Sequence, residues 1–393
     1  MYEFIFSISD LPLDLRFNVP FSKSISNRIL AINHLKSDFR KPLSDLNLSD
    51  CEDTKIIADS LETISRNDIG IFDCKNSGTA FRFLLCVAAI TKGRWTLIGA
   101  SRMADRQVKP LVDVLNNLGA SIMIDDRSDK YVVLVKGRKS LRNTRPTISL
   151  PPLPSSQIIS GLLLIADHIH NFNLSISENQ ASMPYINMTE ALIANPCFDN
   201  ETDWSCSAFA YCLMAVRKQG SVFIPLLKRS SLQGDSVCER LFESFGVCSE
   251  FTEAGVMLRY DPSIISKASI EIDVSDFPDL FLPLVVAAVC FEGITRFVGL
   301  TNIRFKESDR LSVAMKCLSE LGISHNFDGE GLTIFANPHY AAPLSRLVVD
   351  SDDHRVVMSF AMLAFAHTEI IIAHPDCVNK SFPAFWSNFG IAL

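Results

Sequence analysis

No apolar run in this 393-residue chain approaches the roughly 20 residues needed to cross a bilayer. The longest, Phe281 to Phe291, is interrupted by Pro283, so no membrane span is expected. The opening residues Met1-Tyr2-Glu3-Phe4 lack a basic stretch, a long apolar stretch and a small-residue cleavage site, which points to the cytoplasm. No C-x-x-C or Cys/His cluster has zinc-site spacing; the eleven cysteines, an odd number set mostly in apolar stretches, read as free buried thiols. Basic excess is also lacking, with 37 Lys and Arg against 44 Asp and Glu, a net charge of −7. Binding a phosphate backbone needs a concentrated basic face, so nucleic acid is not an expected partner. The Walker loop, the dinucleotide fingerprint G-x-G-x-x-G, H-E-x-x-H and G-x-S-x-G are all absent. Kinase, dehydrogenase, zincin and α/β-hydrolase readings lose their main support.

What remains is apolar material in quantity. Hydrophobic residues make up 48% of the chain, enough for large cores, and its length suggests two domains. A short polar cluster runs into an apolar helix-length segment six times, near Ser22, Asn76, Ser155, Asp203, Asp276 and Asp352. Each segment is apolar on nearly every face, so each predicts a helix enclosed by protein. Amphipathic segments follow most of them, several ending at glycine where a left-handed cap fits. Short β-rich pieces such as RWTLIGA, KYVVLVKG and ASIEIDV lie between. The repeat is mixed α and β, and six units divide into two domains of three, with the boundary expected near residue 200.

The polar clusters open helices, where unpaired N–H groups and the positive end of the dipole attract anions. Cations gather in or near them: Lys23, Arg28, Arg82, Arg102, Arg106, Arg304, Lys306, Arg310, Arg355 and Lys380. One such pairing is ordinary helix capping; several together predict a polyanionic small ligand.

The clusters also carry a resemblance. S-K-S-I-S-N-R (22–28), N-S-G-T-A-x-R (76–82), S-S-Q-x-x-S (155–160), S-x-P-Y (182–185), N-I-R-F-K-E-S-D-R (302–310), D-H-R-x-x-M (353–358) and C-V-x-K-S-F-P (377–383) occur in this order across almost the whole chain. They resemble the 5-enolpyruvylshikimate-3-phosphate synthases, or 3-phosphoshikimate 1-carboxyvinyltransferases. The resemblance implies an α+β fold of two domains, each with three β-α-β-α-β-β units, helices inside and sheets outside, an inverse α/β barrel. The expected boundaries are 18–200 for one domain, and 1–17 with 201–393 for the other, with the active site in the cleft between them. The implied reaction moves the carboxyvinyl group of phosphoenolpyruvate to the 5-hydroxyl of shikimate 3-phosphate and releases phosphate, on the route to chorismate and aromatic amino acids. It implies a monomer acting on these two small molecules, with no metal or organic cofactor.

Carried over motif by motif, the resemblance assigns shikimate 3-phosphate to Lys23, Ser24, Arg28, Ser155, Ser156, Gln157, Ser182, Tyr185, Asp279, Asn302 and Lys306. Phosphoenolpyruvate falls to Lys23, Gly78, Arg106, Gln157, Arg310, Arg355 and Lys380. Asp279 matches the family's proton acceptor and Glu307 its proton donor, with Lys23 the third catalytic candidate. The charges suit this: the two substrates together carry roughly −5 to −6 at neutral pH. Lys23, Arg28, Arg106, Lys306, Arg310, Arg355 and Lys380 supply seven positive charges. In this family the herbicide glyphosate competes with phosphoenolpyruvate where the glycine matching Gly78 leaves room.

Four positions depart from the family pattern: Phe21 stands for a usual glycine, Phe83 and Gln107 for usual prolines, and Met183 where a basic residue is common. The related UDP-N-acetylglucosamine carboxyvinyltransferases are a rival reading, but they would begin with a G-x-K-N-type motif. A silent binding relative, the other rival, would lack Asp279, Glu307 or Lys23.

Overall fold

The computed structural model describes residues 4–6, 12–36, 41–125, 128–138, 147–153, 155–169, 172–336, 346–366 and 369–391. The chain divides into two compact units, Phe21–Asn200, and Met1–Pro20 together with Glu201–Leu393. Strands β1 (Phe4–Phe6) and β2 (Asp14–Arg16) explain why the first segment joins the later part of the chain. In that unit β1 pairs with a strand at Ile370–Ile372 and β2 with one at Ser221–Pro225. Phe17 packs edge-on to Phe382 and Phe389 at 5.8 and 6.0 Å between ring centres.

The unit Phe21–Asn200 holds helices α1 (Lys23–Leu35), α2 (Glu52–Arg66), α3 (Gly78–Ile90), α4 (Lys109–Asn117), α5 (Ser156–Ile169) and α6 (Met183–Ala194). Its strands are β3 (Ile69–Asp73), β4 (Gly93–Gly99), β5 (Ser121–Asp125), β6 (Tyr131–Gly137), β7 (Thr147–Leu150) and β8 (Asn173–Ile176). The other unit continues with α7 (Trp204–Arg217), β9 (Ser221–Pro225), α8 (Cys238–Glu243), β10 (Val247–Thr252), β11 (Gly255–Tyr260) and β12 (Ser269–Asp273). It ends with α9 (Phe281–Val289), β13 (Ile294–Val298), α10 (Arg310–Glu320), β14 (Ser324–Phe327), β15 (Leu332–Phe335), β16 (Leu347–Val349), α11 (His354–Ala361) and β17 (Ile370–Ile372).

The repeat is visible in the pairing. Sheets β3-β4-β6-β5, β12-β13-β15-β14 and β2-β9-β11-β10 share one order, a parallel pair followed by antiparallel neighbours; a helix joins the parallel pair in the first two, whereas the whole Phe21–Asn200 unit and α7 lie between β2 and β9. All six predicted central helices are present as α1, α3, α5, α7, α9 and α11. Every residue of α9 is buried, as are all of α7 except Arg217 and all of α3 except Thr79, as segments apolar on every face require. The predicted glycine stops are Gly119, Gly246 and Gly322, at φ 96°, 85° and 69°. All eleven cysteines are free, and seven are buried.

Candidate active site

The candidate residues form three side-chain networks, two in the Phe21–Asn200 unit and one in the other. The first surrounds Arg28, which is only 2% exposed. Ser22 caps α1, accepting from the Ile25 amide, and so places Lys23 and Ser24 in the first turn. One turn on, the Arg28 guanidinium reaches α5 and α6. Its Nε donates to Thr189 Oγ1 at 2.7 Å, and its terminal nitrogens donate to Ser160 Oγ (3.1 Å), the Tyr185 carbonyl (3.0 Å) and the Ser24 carbonyl (2.8 Å). Burial lowers its pKa to about 10. With four N–H groups engaged, at most one remains for a ligand. Arg28 therefore joins the helix starts carrying Ser155, Ser156 and Ser182. Ser182 precedes α6 in a left-handed conformation (φ 61°) uncommon for a non-glycine residue, a backbone held in place by its surroundings. Lys23 pairs with buried Asp53 at 3.2 Å.

The second network surrounds Gly78. Arg82, 1% exposed, donates to the Gly78 carbonyl (3.2 Å), to Gln157 Oε1 (2.8 Å) and to the Arg106 carbonyl. Gln157 Nε2 donates to Thr79 Oγ1 at 2.9 Å, and Arg106 donates to the Asn76 carbonyl at 2.7 Å. Gly78, Arg106 and Gln157, assigned together from motifs, thus meet around a fourth residue to which no role was assigned. A methyl on Gly78 would lie 2.6 Å from Arg106 Nη2 and 2.7 Å from Arg82 Nη1.

The third network alternates charges. Asp279, on the segment before α9, meets Arg310 at 2.9 Å, Arg355 at 3.1 Å and Lys306 at 3.7 Å. Glu307 meets Lys380 at 2.8 Å and Arg310 at 3.1 Å. Burial would raise the Asp279 carboxyl, but Arg355, Lys306 and Arg310 hold it well below the usual carboxylate range. The Arg310 guanidinium is 1% exposed and contacts three carboxylates, Asp279, Glu307 and Asp353, which keep it protonated against the cost of burial. Asn302 is buried at the start of the short helix that leads to Lys306.

Two of the ten cations singled out in the sequence stand apart: Arg102 pairs with Asp105 at 3.9 Å and Arg304 with Asp309 at 3.4 Å, both at the surface. Asp235 escaped sequence reasoning. It lies on a 3-10 turn, accepts a hydrogen bond from Ser205 on α7, and burial followed by the nearby Asp279 charge raises its carboxyl to about 6. A lone acid in a polar segment carries no periodic signal.

The alternation of anion-seeking helix starts with clustered guanidinium and ammonium groups suits small ligands bearing carboxylate and phosphate. A family model described as EPSP synthase (3-phosphoshikimate 1-carboxyvinyltransferase) matches residues 11–196 and 200–389. The chain belongs to the EPSP synthase family. A 3-phosphoshikimate 1-carboxyvinyltransferase from Bacteroides fragilis is 31% identical over 95% of both proteins, and one from Methanospirillum hungatei is 28% identical with the same coverage. Among solved structures, EPSP synthase from Acinetobacter baumannii superposes with a TM-score of 0.71 at 18% identity, covering 99% of this chain and 97% of that one. The enolpyruvyl transferase NikO from Streptomyces tendae gives 0.59 at 12% identity, covering 98% and 95%. These likenesses establish the enolpyruvyl transferase fold, and the family match disfavours the UDP-N-acetylglucosamine rival. Two departures from the EPSP synthase pattern have structural correlates. Gln107 adopts φ 54°, which proline cannot, and the Phe83 ring lies 5.5 Å from the Arg28 guanidinium carbon.

Proposed function

We propose that this chain transfers the carboxyvinyl group of phosphoenolpyruvate to the 5-hydroxyl of shikimate 3-phosphate, releasing phosphate, as a step toward chorismate and aromatic amino acids. The observation that carries the reading is the network of Asp279, Lys306, Glu307, Arg310, Arg355 and Lys380, in which two acids are held among four cations. Lys23, Ser24, Arg28, Ser155, Ser156, Gln157, Ser182 and Tyr185 bind shikimate 3-phosphate with Asp279, Asn302 and Lys306. Lys23, Gly78, Arg106, Gln157, Arg310, Arg355 and Lys380 bind phosphoenolpyruvate.

Asp279 is ionised at neutral pH because of its three cations, and the same cations make it a weak base. Phosphoenolpyruvate competes for Arg310 and Arg355, and each contact that it withdraws from Asp279 restores basicity just as the acceptor hydroxyl needs it. The 5-oxygen gives its proton to Asp279 and bonds to C2, while C3 takes a proton from Glu307, which Lys380 supplies across their 2.8 Å hydrogen bond. Glu307 then takes a proton back from C3 as the bond from C2 to the phosphate oxygen breaks, and phosphate leaves with the proton that Asp279 holds. No metal or organic cofactor enters these steps. No described helix is long and apolar enough to cross a membrane. We place the enzyme in the cytoplasm, acting as a monomer without nucleic acid. Phosphate release from phosphoenolpyruvate by the purified chain, measured with and without shikimate 3-phosphate, tests the reading. Release only with both substrates is expected; none with folded protein would favour a silent relative.

A further inference from the structure

The Asp353 carboxylate has no assigned part in the reaction and is 2% exposed, so it cannot easily reach a substrate. Both its oxygens are used. Oδ2 accepts from Arg310 Nε at 2.9 Å and from Ser308 Oγ at 2.8 Å. Oδ1 accepts from Arg310 Nη2 at 3.3 Å, on the same edge of the guanidinium, and from the Arg355 backbone amide at 3.0 Å. This last bond caps α11, which opens at His354 and carries Arg355 in its first turn. Burial alone would push the carboxyl up, yet Arg310 brings it down to about 2, so it stays charged.

Resting on the reaction proposed above, we infer that Asp353 is a positioning residue of the phosphoenolpyruvate site: one buried carboxylate grips the Arg310 guanidinium along its Nε edge and sets Arg355 by capping its helix. The grip leaves the remaining guanidinium nitrogen, Nη1, turned toward Asp279 at 2.9 Å. Arg310 comes from α10 and Arg355 from α11, so without a shared anchor their separation would follow the packing of two helices. A guanidinium held on one edge keeps its direction when an anion arrives, which preorganises the site.

Asp353→Asn and Ser308→Ala separate positioning from charge. Asparagine still offers an oxygen to the Arg355 amide but loses the charge and one acceptor for Arg310. If Asp353 acted only through its charge, removing it would make the site more positive, and the KM for phosphoenolpyruvate would fall. Positioning demands the opposite. We expect a KM for phosphoenolpyruvate about 10- to 100-fold higher in Asp353→Asn, because a charge-assisted contact is lost, and about threefold higher in Ser308→Ala, which loses a neutral one. The KM for shikimate 3-phosphate should change much less in both, with melting temperatures reported alongside. Should Asp353→Asn not fold, Ser308→Ala reads the same anchor. Unchanged or lower KM for phosphoenolpyruvate in the folded variants would overturn the inference. Calorimetric titration of wild type and variants with phosphoenolpyruvate reads the site without turnover: a wild type that binds but releases no phosphate would overturn the reaction while still deciding the role of Asp353, and one that does not bind would overturn both.

Discussion

Gly78→Ala adds one methyl to the proposed donor site, against Arg106 and Arg82. The new carbon would lie 2.6 Å from Arg106 Nη2, 2.9 Å from its guanidinium carbon and 2.7 Å from Arg82 Nη1, all inside contact distance. To restore an ordinary separation, the Arg106 guanidinium must withdraw by about 1 Å. Arg106 is held to the Asn76 carbonyl at 2.7 Å, and Arg82 is tied to Gln157, so the retreat disturbs the whole network. The helix should tolerate the change, since Gly78 begins α3 without a positive φ and alanine is the better helix former. Loss of most of one charge-assisted bond to the donor is worth about 1.5–3 kcal/mol, or about 10- to 150-fold in kcat/KM for phosphoenolpyruvate. Glyphosate, the longer molecule, should suffer more, a discrimination made by steric exclusion. The assay is steady-state phosphate release at varied phosphoenolpyruvate, with glyphosate inhibition at matched donor saturation. Unchanged kcat/KM together with equal glyphosate sensitivity would refute the placement of Gly78 and Arg106 at the donor.

Asp279→Ala should lower kcat by about 10²- to 10⁴-fold while shikimate 3-phosphate affinity, read by calorimetry, changes far less; near-normal kcat would remove Asp279 from the proton path. Asp235→Asn should stabilise the protein at alkaline pH. The Asp235 carboxyl titrates at about 6 when folded against an ordinary 3.8, so its contribution is complete below the lower value and lost as pH rises through the higher. That difference bounds the gain at roughly 3 kcal/mol. Melting temperatures should therefore separate variant from wild type more at pH 8 than at pH 5, and a gap independent of pH would contradict the burial of this charge.

The central helices and the long strands were legible because their apolar residues leave no alternative to burial: α9 is apolar at every position, and the glycine stops at 119, 246 and 322 answer a backbone demand. The edge strands β3 and β14 were not legible, since each half-exposed run of four or five residues owes its pairing to neighbours distant in sequence. At the site, the motif resemblance proposed ligands but gave no sign of the side chains that support them. Arg82 stood out as a cation, yet nothing local indicates that it would bind Gln157 across 75 positions. Asp353 lies in a polar cluster that predicts a helix start, and it does cap α11; its hold on Arg310, 43 positions away, exists only in three dimensions. Phe83 replaces a usual proline and has an aromatic contact with Arg28 that proline could not make.

The most direct test follows the reaction in deuterium oxide by proton NMR. If Glu307 protonates C3 and the intermediate then loses a proton from the same carbon, the vinyl methylene of the new enol ether should carry deuterium while phosphate appears in equal amount. Phosphoenolpyruvate that stays intact beside shikimate 3-phosphate, or an enol ether formed with no deuterium at that methylene, would contradict transfer by addition and elimination.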